Sequence, residues 1–189
     1  MGDPKKQRKK YASPKFPWRT DILQAELDLL GRYGLRNKHE LWRNETMLSK
    51  FRGIARSLIG ETSEQRKRME DELLSRLKRL GILPETAVLD DILDLTIEAI
   101  LERRLQTIIF RKGLSKTIQQ SRQLITHGHI MIGNRRMTVP GYIVTKQDEN
   151  QVRYSTSSSL TNPEHPLRRT IAAISTSGTT SEETSKEEE

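Results

Sequence analysis

The chain contains no cysteine, so disulfides and every cysteine-ligated zinc or iron–sulfur site are excluded. Aromatic residues make up only 5% of the chain and hydrophobic residues 33%, whereas an average globular protein is roughly 45–50% apolar. A large single core is therefore not expected. The 189 residues suit one or two small domains with polar extensions, which depend on a partner for part of their order.

The sequence also lacks a long apolar run. No stretch approaches the roughly 20 apolar residues that a membrane-spanning helix needs. The first residues are basic, but no apolar stretch follows them, so a signal peptide is not predicted. We expect a cytoplasmic protein with no membrane partner.

Positive charge dominates and is unevenly distributed. The chain has 33 Lys and Arg against 25 Asp and Glu, a net charge of +8. Residues 1–20 carry seven basic residues against one Asp, whereas residues 175–189 carry five Glu against one Lys. A polyanion is the expected partner of such a chain, and nucleic acid is the leading candidate.

Residues 1–17 are predicted to form a basic extended arm that is disordered on its own. They contain Pro4, Pro14 and Pro17 and no apolar periodicity. Basic residues interleave with Tyr11 and Phe16, so charges could neutralise phosphates while rings stack on bases. A merely solubilising tail is the alternative.

Residues 18–95 are predicted to be helical. A first helix carries apolar residues at three- and four-residue steps and closes at Gly31 or Gly34. A second spans about 38–58, and a third begins at Thr62, capped with Gln65, and ends at Gly81. The segment after the third helix contains the carboxylates of Asp90, Asp91 and Asp94. We interpret these residues as helix-start residues rather than as a catalytic acid and base.

Residues 96–155 are predicted to form a compact module of two helices and a small antiparallel sheet. One helix spans about 96–112, and the next spans 116–127, with Ser115 as its cap and Gly128 at its end. The periodicity then changes to two, with strands near 129–132, 137–139, 142–144 and 151–155. A turn is expected at Gly133-Asn134 and a hairpin tip at 147–150. The predicted fold class is α+β, and residues 156–189, rich in Ser, Thr and Glu, are expected to be a disordered tail.

No constellation for catalysis is apparent. Neither a Gly-rich phosphate loop nor Gly-x-Ser-x-Gly occurs. His127-Gly128-His129 offers two ligands, too few for a structural zinc site. We therefore expect no catalytic residues, no metal, no cofactor and no enzymatic activity.

Basic residues cluster in the module instead. Residues 102–153 hold ten Lys or Arg against three acids. Arg104 and Arg111 are two helical turns apart and should share a face, while the helix start at Ser115 offers free N–H groups to a phosphate. Structured RNA is recognised largely by shape, phosphate and 2′-hydroxyl contacts, and the guanidinium of Arg suits phosphate. The pattern therefore favours an RNA-binding surface.

Several motifs resemble the ribosomal protein S-four family. They include Leu101-Glu102-Arg103-Arg104-Leu105, Gly113-Leu114-Ser115, Ser121-Arg122-Gln123-Leu124-Ile125 and His127-Gly128-His129-Ile130. Further motifs near the N-terminus, Asp3–Tyr11 and Tyr33–Arg43, are similar to the archaeal and eukaryotic branch of that family. The usual Asn-Gly turn is reversed here as Gly133-Asn134, and the cysteine-based zinc site of some members is impossible.

The resemblance implies a small-subunit protein that binds the 5′ domain of the rRNA early in assembly and influences decoding accuracy. Neighbouring small-subunit proteins near the site where mRNA enters are implied partners, mRNA is a further candidate, and a homo-oligomer is not expected. The expected RNA-binding residues are Lys5, Lys6, Arg8, Lys9, Lys10, Arg103, Arg104, Arg111, Ser115, Lys116, Arg122, Gln123, His127, His129, Asn134, Arg135 and Arg136.

Two alternatives remain open. A stand-alone factor for ribosome assembly or rescue could use the same RNA-binding module, although it would not need the helical region at 18–81. An RNA-modifying enzyme could also carry the module, but it would require a separate catalytic domain that this length does not accommodate.

Overall fold

The computed structural model describes residues 9–60 and 64–171. Within them the chain forms two compact units. The first contains the residues up to Lys78 and Ile82–Leu101, and the second contains Arg79–Gly81 and the chain from Glu102 onward. The first is helical and the second combines helices with a small antiparallel sheet, which confirms the predicted α+β class.

The helical unit begins with three long helices. Helix α1 spans Thr20–Tyr33, α2 spans Lys38–Ile59 and α3 spans Glu64–Leu80. The predicted end of α1 is confirmed at Gly34, which adopts a left-handed φ of 57° that glycine tolerates at no steric cost. The side chain of Asn37 caps α2 by accepting a hydrogen bond from the Glu40 N–H. The predicted capping box at Thr62 lies outside the described residues.

Two short helices, α4 (Asp91–Asp94) and α5 (Ile97–Glu102), follow. The carboxylate of Asp91 accepts a hydrogen bond from the Val88 N–H at 2.7 Å, as expected of a helix-start residue. An apolar core joins the end of α1 to α2 and α5. Its buried residues are Tyr33, Leu35, Leu41 and Leu101.

A buried carboxylate links α1 to α2. Glu26 is 5% exposed, and burial of a lone carboxylate would be costly. It accepts a hydrogen bond from the Trp42 indole at 2.8 Å and pairs with the Lys38 ammonium at 2.7 Å. The partners compensate the charge and orient the two helices within this unit.

The second unit is built from α6 (Leu105–Arg111), α7 (Ile118–Thr126) and a three-stranded sheet. Strands β1 (Ile130–Ile132), β2 (Arg135–Met137) and β3 (Val152–Tyr154) lie in the order β2-β1-β3, and both pairs are antiparallel. Apolar side chains from the helices and the sheet form one core. Its buried residues are Leu105, Ile108, Ile109, Leu124, Ile125, Ile130, Ile132, Val144, Val152 and Leu160.

The expectation of one helix over residues 96–112 is wrong. Arg104 has extended backbone angles, φ −70° and ψ 140°, between α5 and α6. It forms an isolated antiparallel bridge with Ile143, and the N–H of Leu105 donates to the Tyr142 carbonyl at 2.7 Å. The backbone pairs with a distant segment here, and helix geometry would have broken these bonds. Helical periodicity on both sides concealed the break.

Other local expectations also need correction. Residues 142–144 contribute only the bridge at Ile143 rather than a full strand. The expected hairpin tip at 147–150 is largely a single helical turn, α8 (Lys146–Glu149), because the Thr145 hydroxyl caps it by accepting from the Asp148 N–H. The turn at Gly133-Asn134 is confirmed, since it joins β1 directly to β2.

Residues 156–171, expected to be part of a disordered tail, contain regular secondary structure. A 3₁₀ turn spans Ser159–Thr161, and residues 166–171 are helical. Leu160 and Ile171 are buried, so these two side chains give a polar segment apolar contacts that composition alone concealed. Residues 172–189 lie outside the described residues. None of the described helices is long and apolar enough to cross a membrane.

Two glycine substitutions should have opposite effects on stability. Gly128 has a φ of +74°, and a Cβ there would lie 2.1 Å from Arg136 Nε, so Gly128→Ala should cost roughly 1–2 kcal/mol or more. Gly53 lies within α2 with nothing within 4 Å of a built Cβ, so Gly53→Ala should stabilise by about 0.5–1 kcal/mol. Urea midpoints would measure both, and equal midpoints for the two variants would contradict the opposite roles of these glycines.

A pH-dependent effect should arise at Glu45 on α2. Burial raises the pKa of this carboxyl above its ordinary 4.5, and the charge of Glu26 adds to the rise. Because the pKa of this carboxyl is higher in the folded than in the unfolded protein, its ionisation lowers the free energy of unfolding. This loss of stability grows as the pH rises above the pKa of the unfolded state. Glu45→Gln should therefore raise Tm at pH 7 relative to the unchanged protein, and the gain should vanish near pH 4. Glu72→Gln, at an exposed position on α3, is the control; a gain at Glu45 independent of pH would refute the assignment.

Candidate nucleic-acid interface

The exposed side of α7 carries a polar row. The Thr117 side chain caps this helix by accepting from the Gln120 N–H. Gln119, Gln123 and His127 are exposed, and their four-residue spacing places them on one face. Lys116 is also exposed, but it precedes the Thr117 cap and lies before the first turn of the helix. Of the expected residues, the helix therefore brings Gln123 and His127 together.

Ser115 plays a different part from the one expected. It is 4% exposed, and its hydroxyl lies 2.5 Å from that of Ser121. The first N–H group of the helix region, on Lys116, already donates to the Gln120 side chain at 2.7 Å. Thr117 rather than Ser115 is the helix cap, and Ser115 anchors the loop to α7 from inside.

The sheet contributes two arginines to one face. Met131 lies directly opposite Arg136 on β2 and Arg153 on β3, and directly opposed residues point to the same side of a sheet. The neighbouring pairs, such as Ile130 with Met137 and Tyr154, belong to the core side. Arg136 and Arg153 therefore cover Met131 on the side away from the core.

Arg136 connects this face to the end of α7. Its Nε donates to the Gly128 carbonyl at 2.8 Å and its Nη2 to the His127 carbonyl at 2.9 Å. Arg153 donates to the Gly133 carbonyl at 3.1 Å. A guanidinium has five N–H donors, so each side chain is oriented by the backbone while other donors remain to meet an anion. We call Lys116 at the start of α7, His127 at its end, and Arg136 and Arg153 on the sheet the basic strip.

The two-residue turn after β1 holds further exposed polar groups. Gly133 has a φ of +57°, and none of the described non-glycine residues has a positive φ. Positive φ at the first turn residue alone is the pattern of a type II′ turn, whereas Asn-Gly typically forms type I′. The reversed order is thus accommodated, and Asn134 and Arg135 are exposed at the end of the hairpin.

Three of the expected RNA-binding arginines are engaged within the protein. Arg104 is 3% exposed. Arg103 pairs with the Glu149 carboxylate at 2.8 Å and donates to the Val144 carbonyl at 3.2 Å. Arg111 is exposed but pairs with Glu102 at 2.8 Å. Arg104 and Arg111 do not share a helix face, because Arg104 precedes α6 in extended conformation.

Arg122 lies partly inside the unit. Its Nη1 donates to the side-chain oxygen of Gln106 at 3.2 Å, and the Gln106 amide donates to the Ile118 carbonyl at 3.0 Å. Gln106 is fully buried. The chain of bonds ties α6 to α7 and orients the half-buried Arg122 rather than leaving it extended into solvent.

The N-terminal arm is described only from Lys9. Lys9 and Lys10 are exposed, while Lys5, Lys6 and Arg8 lie outside the described residues. The ring of Tyr11 packs against His39 and Trp42, with centroids 4.8 and 5.9 Å apart.

The backbone of the arm adds a second attachment, since the N–H of Ala12 donates to the Thr46 hydroxyl at 2.9 Å. Tyr11 therefore fastens the arm to α2 instead of presenting its ring for base stacking. Phe16 is 60% exposed, with the Lys15 ammonium 5.7 Å from its ring centroid.

The two expected histidines stack on each other. The rings of His127 and His129 are nearly parallel, 7° apart in tilt, with centroids 6.2 Å apart. His129 Nδ1 lies 2.8 Å from the Ser158 hydroxyl. Among residues 9–60 and 64–171, no group of three His, Asp or Glu is arranged to hold a metal ion.

Sequence reasoning omitted Arg153 and Arg168 from the site. The alternation of β3 could have indicated Arg153, since Val152 and Tyr154 on either side face inward. Arg168 lies in the segment interpreted as a disordered tail, yet its guanidinium is 5.2 Å from the Tyr154 ring centroid. Tyr154 donates to the Leu114 carbonyl at 2.6 Å, and burial raises its pKa while the charge of Arg168 opposes the rise.

The helix pair and sheet match a known RNA-binding module. Residues 103–150 match the family model described as the S4 domain. The matched range contains α6, α7, β1, β2 and α8, and therefore most of the basic strip.

Similarity to curated proteins extends over both units. The chain is 56% identical over 158 residues to "Small ribosomal subunit protein uS4" of Hyperthermus butylicus, covering 84% of this chain and 90% of the relative. Proteins of the same name from Saccharolobus solfataricus and Thermoplasma acidophilum are 51% and 44% identical, over 85% and 92% of this chain and 89% and 88% of theirs. The chain belongs to the small ribosomal subunit protein uS4 family.

Proposed function

We propose that the protein is a structural constituent of the small ribosomal subunit that binds the 5′ domain of its rRNA. The observation that carries this proposal is the basic strip within an S4 domain, in a chain of the uS4 family. Arg136 and Arg153 are oriented by backbone carbonyls, and within residues 9–60 and 64–171 neither forms an ion pair with a carboxylate. A surface of this kind suits phosphate groups, and binding would release the counterions condensed on the RNA.

The proposed binding has two parts of different character. Lys116, Asn134 and Arg135 are exposed and supply flexible contacts to phosphate. Arg136 and Arg153 are pre-oriented, so they lose less conformational entropy on binding. The basic arm, with Lys9 and Lys10 exposed, would add contacts from the other unit. Early binding of this kind would nucleate assembly, and support of decoding accuracy is the wider role that we propose.

The proposed mechanism uses no reacting group. The basic strip supplies positive charge in a fixed arrangement, while Arg103 and Arg122 make contacts within the module. A stand-alone assembly or rescue factor remains the second candidate, since the same module would serve it. The similarity of this chain to uS4 proteins over both units favours the ribosomal role.

Removing exposed cations from the module should weaken rRNA binding in a salt-dependent manner. Lys116→Ala and Arg135→Ala should each reduce the slope of log affinity against log salt by about one, because each removes one phosphate contact, and the double variant should reduce it by about two. Filter binding of a 5′-domain transcript over a salt series would measure this slope. Lys67→Ala, an exposed cation on α3, removes the same charge from the other unit. Unchanged slopes in both module variants, or an equal drop in the control, would contradict the assignment.

The ribosomal role itself predicts the sedimentation of the protein. In extracts of cells that make it, the chain should co-migrate with small subunits at moderate salt. Migration among free proteins under these conditions, with RNA binding intact, would favour the stand-alone factor instead.

A further inference from the structure

A cleft in the second unit lies beside the basic strip. Its lining combines expected RNA-binding residues with residues that were not expected to bind RNA. Its volume is about 160 Å³. One wall is the end of α7 with Gln123 and His127, followed by His129, and the other is formed by Leu160, His165 and Leu167. The second wall lies beyond the residues that match the S4 domain model, which end at residue 150.

The chemistry of the cleft is that of a site for one flat heteroaromatic ring. A cavity of about 150 Å³ accommodates a benzene-sized ring. Leu160 and Leu167 supply apolar contact, the parallel imidazoles of His127 and His129 supply ring faces, and the amide of Gln123 can both donate and accept hydrogen bonds. Among the residues that the structure describes, no Asp or Glu lines the cleft.

The second wall is held in place by contacts within the unit. The Leu167 N–H donates to His165 Nδ1 at 3.2 Å, and Arg168 donates to the Thr161 carbonyl at 3.1 Å. His129 is oriented by its hydrogen bond with Ser158. Because these side chains are already positioned, a ligand would meet a preformed site and would not have to order it.

We propose that this cleft binds one unstacked nucleobase of the RNA that the basic strip holds by its backbone. The inference rests on the proposed rRNA-binding function and names a base-recognition site for it. Unpaired RNA bases are bound by stacking on His and aromatic rings and by hydrogen bonds to their edges. Lys116 precedes the first turn of α7, and Arg168 and Arg169 directly follow Leu167 in the chain. Each wall therefore adjoins, in sequence, cations that a sugar–phosphate backbone requires.

A matched pair of substitutions on α7 tests the proposal. Gln123→Glu places a carboxylate at the cleft, while Gln119→Glu makes the same change of charge one turn earlier, outside the lining. His165→Ala removes a ring from the opposite wall and changes no residue of the basic strip. Since stacking and edge contacts to one base contribute measurably to affinity, Gln123→Glu and His165→Ala should each weaken binding of the 5′-domain transcript by about tenfold, beyond any effect of Gln119→Glu.

Crosslinking locates the base directly. Transcripts carrying thiouridine or thioguanosine, irradiated in complex with the full chain, should crosslink to the peptides that contain Gln123–His129 and Ser159–Leu167. Both substitutions at the cleft should remove these crosslinks, and Gln119→Glu should keep them. Circular dichroism would check folding; if His165→Ala fails to fold, the comparison of the two exposed glutamines decides.

The outcomes separate this inference from the proposed function. Salt-dependent RNA binding that survives every cleft variant, with crosslinks elsewhere, overturns the cleft and leaves the rRNA-binding function standing. No RNA binding by the unchanged chain overturns both. Variants that bind RNA normally but fail to enter small subunits would show that the cleft holds a protein segment, which also overturns the inference.

Discussion

The antiparallel bridge between Arg104 and Ile143 is the constraint on which the S4 domain depends. Around it the Leu105 N–H donates to the Tyr142 carbonyl and the Val144 N–H donates to the Arg103 carbonyl, at 2.7 and 2.9 Å. These bonds join the start of α6 to the segment after β2, about 40 residues later. Val144, fully buried beside them, enters the core with α6, α7 and the sheet. Without the bridge, the core would lack its closing segment.

The same region explains how the module divides its positive charge. Arg103 pairs with Glu149, and Arg104 is buried, so both side chains lie within the fold near the bridge. The carboxylate of Glu149 compensates the charge of the largely buried Arg103, which would be costly to bury alone. Arg136 and Arg153, in contrast, are held by carbonyl groups on the outer face of the sheet. In the part of the chain that the structure describes, neither arginine forms an ion pair with a carboxylate, so this face retains positive charge that the motif at 103–104 does not.

The helical unit also contains a buried charged side chain that is compensated by polar partners. The charge of Glu26 is compensated by Lys38 and the Trp42 indole. The ring of Tyr11, from the N-terminal arm, packs against the Trp42 ring. A chain with few apolar residues thus uses buried polar links where a larger core would use hydrophobic contacts alone. Such links are directional, so they orient elements more sharply than apolar packing does.

The amino-acid sequence by itself determined the features whose causes are local. Helices α1 and α2, the glycine at the end of α1 and the turn at Gly133-Asn134 follow from periodicity, caps and backbone freedom, which act within a few residues. The exposed face of α7 with Gln123 and His127 follows from the same spacing. The tertiary structure alone decided the break at Arg104, the burial of Ser115, the ordering of the segment through Leu160 and the two-walled cleft. Each of these depends on hydrogen bonds or apolar contacts between residues far apart in the chain, which no local pattern encodes.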